Sequence, residues 1–191
     1  MTEPGGQDWR LPGWAHHSGA LSLGTGLPQA DPDAARLVIE RVARYCWSYD
    51  ERRADLLADC FTDDGCWEGN VLGKVPVGPF AGRERIVRWL TEFWPHQHDQ
   101  RRHMLLNNLV ESLTKDRAVT LSYLLLMSSD GMASKVECTG FYRCELRRER
   151  QVWRIARMTA CFDAPFWPGQ LDSMSERGKR RHGVIGEDPA T

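Results

Sequence analysis

The sequence lacks any long apolar run, and its charges almost cancel. No window of about 18 consecutive apolar residues occurs, which predicts no membrane-spanning helix, and the N-terminus lacks the apolar centre of a secretory signal. With 25 Lys and Arg against 26 Asp and Glu, the formal net charge is -1, so no overall field attracts nucleic acid or an anionic membrane. We expect a cytoplasmic protein that binds neither.

Cysteine spacing typical of a metal or redox site is also missing. The six cysteines stand singly, with no Cys-x-x-Cys pair, and such residues usually behave as small buried apolar side chains in a reducing compartment. The run His96-Gln97-His98 follows Pro95 in a predicted loop and lacks a third ligand at a defined distance. We therefore expect neither a metal nor another cofactor.

The length and composition favour a single folded domain between two irregular ends. The chain has 191 residues, of which 41% are apolar, enough for one sizeable core. Residues 1–33 are rich in glycine and proline and show no apolar period, which predicts an irregular arm, pinned by Trp9 and Trp14. Residues 168–191 have a similar texture and are predicted to form a tail, so the predicted domain is 34–167.

Helical periodicity dominates the first half of this domain. A first helix, with Asp33 as its cap, has an apolar stripe at 3.6-residue spacing: Val38, Val42, Tyr45, Cys46 and Tyr49. A second, short helix ends before a predicted turn at 62–65. After an extended segment and a loop rich in glycine and proline, a third helix is predicted over 83–94, where Pro95 ends it.

The second half changes to the two-residue period of β-strands. Four strand-like runs are separated by short polar turns, which predict antiparallel neighbours: 103–113, 118–128, 134–147 and 151–163. The third run alternates cleanly and places Glu137 on a charged face towards solvent. The predicted fold class is α+β, a curled antiparallel sheet wrapped round three N-terminal helices, with an apolar and aromatic cavity between them.

This order of elements resembles a known family. The resembling motifs are YD at 49–50, LLADCFTDDGCWEG at 56–69, FAGRERIVRWL at 80–90, a histidine opening a strand at 103, TGFY at 139–142 and WRIARM at 153–158. Together they are similar to the SnoaL-like proteins of the nuclear transport factor two-like superfamily, which includes scytalone dehydratase and ketosteroid isomerase. The resemblance implies a cone-shaped α+β barrel, whereas function has to be argued from the site residues.

The resemblance also implies a pair of catalytic residues. In scytalone dehydratase-like members an aspartate at the end of the first helix orients a histidine at the start of a central strand, and Asp50 and His103 match these positions. A carboxylate on Nδ1–H fixes the imidazole tautomer and leaves Nε2 as a base. A second histidine of those sites has no counterpart here, because the only histidine after His103 is His182.

Five further residues are candidates for substrate binding. Tyr49 and Tyr123 could donate phenolic protons, although a core tyrosine bonded to backbone is the common case. Trp67 and Trp89, with Trp94, could form an aromatic wall or belong to the core. Asn107 would share a strand face with His103 and could reach a substrate oxygen or bond the strand edge.

Two classes of function remain open. The first is a cofactor-independent dehydratase, isomerase or cyclase that acts on a hydrophobic, oxygenated small molecule of polyketide, terpenoid or steroid type. The second is a binding module or a non-catalytic scaffold, since WRIARM also resembles the β subunits of ring-hydroxylating dioxygenases. We also expect a homodimer, because one sheet face has apolar positions that need cover: Leu124, Leu126, Val136 and Cys138.

Overall fold

The structure of the protein, a computed structural model, describes residues 12–21, 23–24 and 31–166. Trp9 and the predicted tail at 168–191 lie outside these residues. The elements follow in chain order: α1 Trp14–His17, α2 Pro32–Asp50, α3 Ala54–Asp59, β1 Phe61–Val71, β2 Val75–Ala81, α4 Arg83–Thr91, a 3-10 turn Trp94–His96, β3 Gln100–Leu113, β4 Arg117–Ser129, β5 Ser134–Glu149 and β6 Val152–Phe162. No helix in the described part of the chain is long and apolar enough to cross a membrane.

The strands form one six-stranded sheet in the order β2-β1-β6-β5-β4-β3. All neighbouring pairs are antiparallel except β1 and β6, which run parallel. The predicted α+β class is confirmed, but the sheet is mixed rather than purely antiparallel. Strands β1 and β6 can run parallel because most of the domain lies between them in the chain and forms the long connection that a parallel pair needs. Since β2 and β3 are edge strands, the sheet is also open, and a cone-shaped barrel describes it only loosely.

Helix α2 packs across the sheet and begins earlier than the sequence predicts. Asp31, not Asp33, is the N-cap, and its side chain accepts a hydrogen bond from the backbone N–H of Asp33 at 3.0 Å. Pro32 occupies the first helical position, where its missing N–H costs nothing. The predicted apolar stripe is buried from Val38 to Tyr49, so the helix places Asp50, at its last turn, beside the sheet.

Strand β2 replaces the predicted loop between the extended segment and the third helix. Its Pro76 and Pro79 are typical of turns, but an edge strand tolerates proline because its outward N–H groups need no ladder partner. The predicted turn at 62–65 is likewise part of β1, where the register with β6 shifts between Phe61 and Cys66. Both differences lengthen the sheet at the side that faces α4.

The two faces of the sheet differ in what covers them. Leu124, Leu126 and Cys138 are buried in the core, whereas Val136 is 56% exposed, so the four positions predicted to form one covered outer face are divided between the faces. Four further residues with exposed apolar surface lie together on the outer face of β3 and β4: Met104, Leu106, Leu109 and Tyr123. We call these four residues the outer patch.

The N-terminal segment covers part of the same outer face. Trp14 lies with its ring centroid 6.0 Å from that of Phe141, and its Nε1–H donates to Asp163 at 2.9 Å. Phe141 is paired in register with Tyr123, and paired residues point to the same side of a sheet. Trp14 therefore covers the outer side of β5 next to the outer patch, and it also packs against the edge of the core.

Candidate active site

A cavity of about 380 Å³ lies between α2, α4 and the inner face of the sheet. This volume is within the usual range for small-molecule sites, roughly 300–1,000 Å³. Half of its lining residues are Phe, Tyr or Trp, mainly from α2, β1, α4 and β5. The polar residues of the wall come mainly from the segment before β3 and from β3 itself: His96, Gln97, Arg101, His103 and Glu137.

Asp50 and His103 are in direct contact at this wall. Asp50 Oδ1 lies 2.6 Å from His103 Nδ1, and Asp50 Oδ2 accepts the backbone N–H of His103 at 2.8 Å. Their side chains are only 5% and 10% exposed. With an ionised carboxylate as the partner, Nδ1 has to bear the hydrogen, which leaves the lone pair on Nε2 as the free basic site.

Tyr49 lies beside the histidine on the last full turn of α2. Its ring packs edge-on against the His103 ring, with centroids 5.2 Å apart. Gln97 Nε2 donates a hydrogen bond to the Tyr49 hydroxyl at 3.0 Å, and the hydroxyl donates to Gln97 Oε1 at a longer 3.3 Å, a bond that a ligand oxygen would have to replace. Burial raises the pKa of Tyr49 above its usual value, so the phenol keeps its proton at neutral pH and can donate it to a ligand oxygen.

Trp67 and Trp89 are both core residues and cavity wall. Their ring centroids are 4.5 Å apart, and Phe80 stacks on Trp89 at 4.1 Å. Trp67 Nε1–H donates to the hydroxyl of Tyr45 at 3.2 Å. Because hydrogen bonds and packing hold these rings in place, the wall is rigid and suits a flat apolar ligand. Trp94, the third predicted wall residue, packs against Tyr49 instead.

Asn107 and Tyr123 do not line the cavity, contrary to the sequence prediction. The register of β3 with β4 shifts between Leu106 and Leu109, and Asn107 has a left-handed backbone with φ 48. This bulge breaks the alternation by which Asn107 would have shared a face with His103. Tyr123 lies on the outer face and is 56% exposed, so neither residue can touch a ligand in the cavity.

A second bulge explains why sequence reasoning placed Glu137 in solvent. Leu126 pairs with Cys138 and Met127 with Val136, which leaves Glu137 as the extra residue of β5. The bulge turns its carboxylate towards the cavity, where the side chain is 25% exposed. The sequence gives no signal of this bulge, because Glu137 occupies the charged face of an alternation that looks unbroken.

A larger groove of about 710 Å³ lies on the outside of α2 and α3. It contains neither Asp50 nor His103, and its wall is formed mostly by charged side chains on the helix surfaces. Across the described residues, no three His, Cys, Asp or Glu side chains are grouped closely enough to hold a metal ion. The aromatic cavity is therefore the stronger candidate for an active site.

Solved structures of other proteins share this fold. A protein from Catenulispora acidiphila, solved in complex with S-DNPA, is 26% identical with a TM-score of 0.60, covering 69% of this chain and 95% of that one. An NTF2-like protein with a cystatin-like fold from Novosphingobium aromaticivorans is 20% identical with a TM-score of 0.58, covering 68% and 82%. No curated protein matches the sequence.

A third similar structure belongs to a protein named provisionally as the β subunit of an aromatic-ring-hydroxylating dioxygenase, from Novosphingobium aromaticivorans DSM 12444. It is 12% identical with a TM-score of 0.62, covering 73% of this chain and 95% of that one, a likeness of fold alone. A family model of the SnoaL-like domain matches residues 34–159, which include α3, α4, nearly all of α2 and of the sheet, and both members of the Asp50–His103 pair. The chain therefore belongs to the family of SnoaL-like domains.

Proposed function

We propose that this protein is a cofactor-independent acid/base enzyme, a dehydratase, isomerase or cyclase, acting on a hydrophobic, oxygenated small molecule of polyketide, terpenoid or steroid type. The observation that supports it best is the 2.6 Å contact between Asp50 and His103 at the wall of an aromatic cavity. A positioned imidazole is the side chain whose unperturbed pKa lies nearest neutral pH, so it can both take and return a proton.

In the proposed mechanism His103 moves the proton. Nε2 removes a proton from carbon next to a substrate carbonyl, and the carbonyl oxygen takes up the electron pair as an enolate. The imidazolium, stabilised by Asp50, then returns the proton to another carbon in an isomerisation or to a departing hydroxide in a dehydration. Tyr49 can donate its phenolic proton to the enolate oxygen as a hydrogen bond, which stabilises the developing charge.

The outer patch supports the proposal that the protein is a homodimer. Leu106 and Tyr123 are paired across β3 and β4, and both are about half exposed. A contiguous apolar patch on a sheet commonly marks an interface, and a self-complementary face gives a closed two-fold dimer. The same patch also supports the second candidate, a non-catalytic scaffold like a dioxygenase β subunit, in which a larger catalytic subunit would cover it.

Hydrogen exchange of a simple ketone tests the acid/base proposal without the natural substrate. We choose 2-tetralone, a flat bicyclic ketone with acidic carbon-bound protons, dissolved in D₂O with the protein and followed by ¹H NMR. We expect the wild type to accelerate deuterium incorporation and His103→Gln to lose about 10²- to 10⁴-fold of that acceleration, the usual contribution of one positioned base.

Two matched variants make the result specific. His98 is exposed and absent from the cavity wall, so His98→Gln should exchange like the wild type. His96 does line the cavity, and it is the alternative base. Loss of exchange in His96→Gln with full exchange in His103→Gln would contradict the proposed role of His103. Purification only as a complex with an iron–sulfur subunit would favour the scaffold instead.

A further inference from the structure

Arg101 and Glu137 place opposite charges on one side of the cavity. Both residues line it, and their side chains are only 21% and 25% exposed. Arg101 Nη2 lies 3.7 Å from Glu137 Oε1, a distance that gives an electrostatic attraction but no hydrogen bond. Since most of the other lining residues are aromatic or aliphatic, these two residues concentrate charge in one part of an otherwise largely apolar wall.

The guanidinium of Arg101 is fixed in position from behind. Its Nε–H donates to Asp99 Oδ2 at 3.0 Å, and the same carboxylate accepts the hydroxyl of Ser128 at 2.6 Å. Within the part of the chain that the structure describes, this is the only hydrogen bond that the guanidinium makes. Asp99 thus orients the guanidinium of Arg101. The two terminal nitrogens of the guanidinium keep N–H donors for a ligand.

We propose that the cavity binds a flat aromatic ligand that bears a carboxylate, with the carboxylate on the terminal nitrogens of Arg101 and the rings against Trp67 and Trp89. A planar guanidinium matches a carboxylate with two parallel hydrogen bonds, which a lysine cannot do. The inference deepens the proposed function, on which it rests, by naming an ionised acid as the substrate class.

The spacing along β3 agrees with such a ligand. Arg101 and His103 are two residues apart on one face of the strand, so their Cα atoms are separated by roughly 7 Å. A carboxylate held by Arg101 therefore places carbon atoms about one ring farther along the molecule within reach of the imidazole. The acid group would fix the orientation of the ligand, and the histidine would act on a carbon beside a carbonyl group.

Glu137 has the opposite effect on this ligand. Its carboxylate, which also pairs with Lys135 Nζ at 3.2 Å, partly neutralises Arg101 in the empty cavity and would repel a second carboxylate there. Removing the charge of Glu137 should therefore tighten the binding of an acid, while removing that of Arg101 should weaken it. The opposite signs of these two effects distinguish an anion site on Arg101 from a structural ion pair.

Isothermal titration calorimetry at pH 7 with 2-naphthoate and its neutral analogue 2-naphthamide tests the inference. We expect the wild type to bind naphthoate more tightly than naphthamide. Arg101→Gln should weaken naphthoate binding about 10- to 100-fold, the usual effect of losing hydrogen bonds to a charged group, and should leave naphthamide binding unchanged. Arg101→Lys should restore only part of the affinity, and Glu137→Gln should increase it several-fold.

A surface arginine provides the matched control for this titration. Arg157 pairs with Glu68 on the surface at 2.8 Å and does not line the cavity, so Arg157→Gln should bind naphthoate like the wild type. Equal binding of acid and amide, no binding of either, or weaker naphthoate binding by Glu137→Gln would overturn the inference. Deuterium exchange of 2-tetralone requires no carboxylate, so that assay can still succeed if the acid site is wrong.

Discussion

Asp50 accepts two hydrogen bonds from His103, one from the backbone N–H at 2.8 Å and one at the ring nitrogen Nδ1 at 2.6 Å. The two residues are 53 positions apart, one at the end of α2 and the other near the start of β3. Because the same carboxylate holds both the main chain and the ring, the imidazole cannot turn away without breaking the contact between helix and strand. The pair is therefore part of the fold as well as a candidate catalytic group.

Asp50→Asn should change the tautomer of His103. The carboxylate only accepts hydrogen bonds, so Nδ1 bears the hydrogen in the wild type, whereas an amide can donate to Nδ1 and leave the hydrogen on Nε2. The ring would then lose its basic site, as a wrong tautomer does in serine proteases. ¹⁵N NMR shifts of the imidazole distinguish the two forms. Unchanged ring shifts in a folded variant would contradict the proposed role of Asp50.

Charges placed on the outer patch should dissociate the proposed dimer. We expect Tyr123→Glu combined with Leu106→Glu to give a monomer by sedimentation velocity at micromolar concentration, because the two acids would each lose hydration and repel across the two-fold axis. Met132, which is 95% exposed in the turn after β4, provides the control, and Met132→Glu should remain dimeric. A wild type that sediments as a monomer would refute the dimer.

Gly140→Ala should destabilise the sheet where β5 meets β6. A Cβ at Gly140 would lie 2.0 Å from the carbonyl oxygen of Cys161, so the two strands would have to separate. Overpacking of this kind usually costs about 1–3 kcal/mol in the free energy of unfolding, measurable by urea denaturation. Gly24 has no neighbour within 4 Å of the corresponding position, and Gly24→Ala should lie within about 0.5 kcal/mol of the wild type. Equal midpoints for both variants would contradict this packing.

The buried thiols should resist alkylation at mildly alkaline pH. Burial raises the pKa of Cys138, Cys144 and Cys161 to about 12, and only the thiolate reacts. At a pH of about 8, well below these values, we therefore expect iodoacetamide to modify the three slowly in the native protein and rapidly in urea, as read by mass spectrometry of peptides. Fast labelling of any of these thiols in the native protein would contradict the prediction. It would show that the strand that carries the cysteine opens, or that the thiol is more exposed than the structure indicates.

Local periodicity was enough to predict most of the elements of the fold. The stripe from Val38 to Tyr49 predicts α2 because a single buried face at 3.6-residue spacing is characteristic of a helix and incompatible with a strand. Strand β2 could not be predicted, since Pro76 and Pro79 are typical of turns and only its position at the sheet edge makes them acceptable. The parallel pairing of β1 with β6 is likewise invisible in the sequence, because it depends on contacts between distant segments.

The candidate site was predictable only where the strands remain regular. His103 lies before the bulge of β3, so its direction follows from alternation, whereas Asn107 lies in the bulge and Glu137 in that of β5. Each bulge adds one residue and thereby reverses the face to which the subsequent residues of the strand point. The position of Arg101 at the cavity wall was missed for another reason: a charged residue among other charges at the start of a strand gives no sign that it faces a cavity.

Both free edges of the open sheet are protected against pairing with another chain. On β2 the two prolines remove N–H donors, and on β3 the bulge at Asn107 interrupts the row of backbone groups. Exposed edges of this length otherwise recruit strands and lead to fibrillar aggregates. Deleting Asn107 would remove one of the two irregularities of β3, the other lying between Val110 and Ser112, and would lengthen its regular edge. The irregularity that hid this residue's orientation therefore also limits pairing of the edge with another strand.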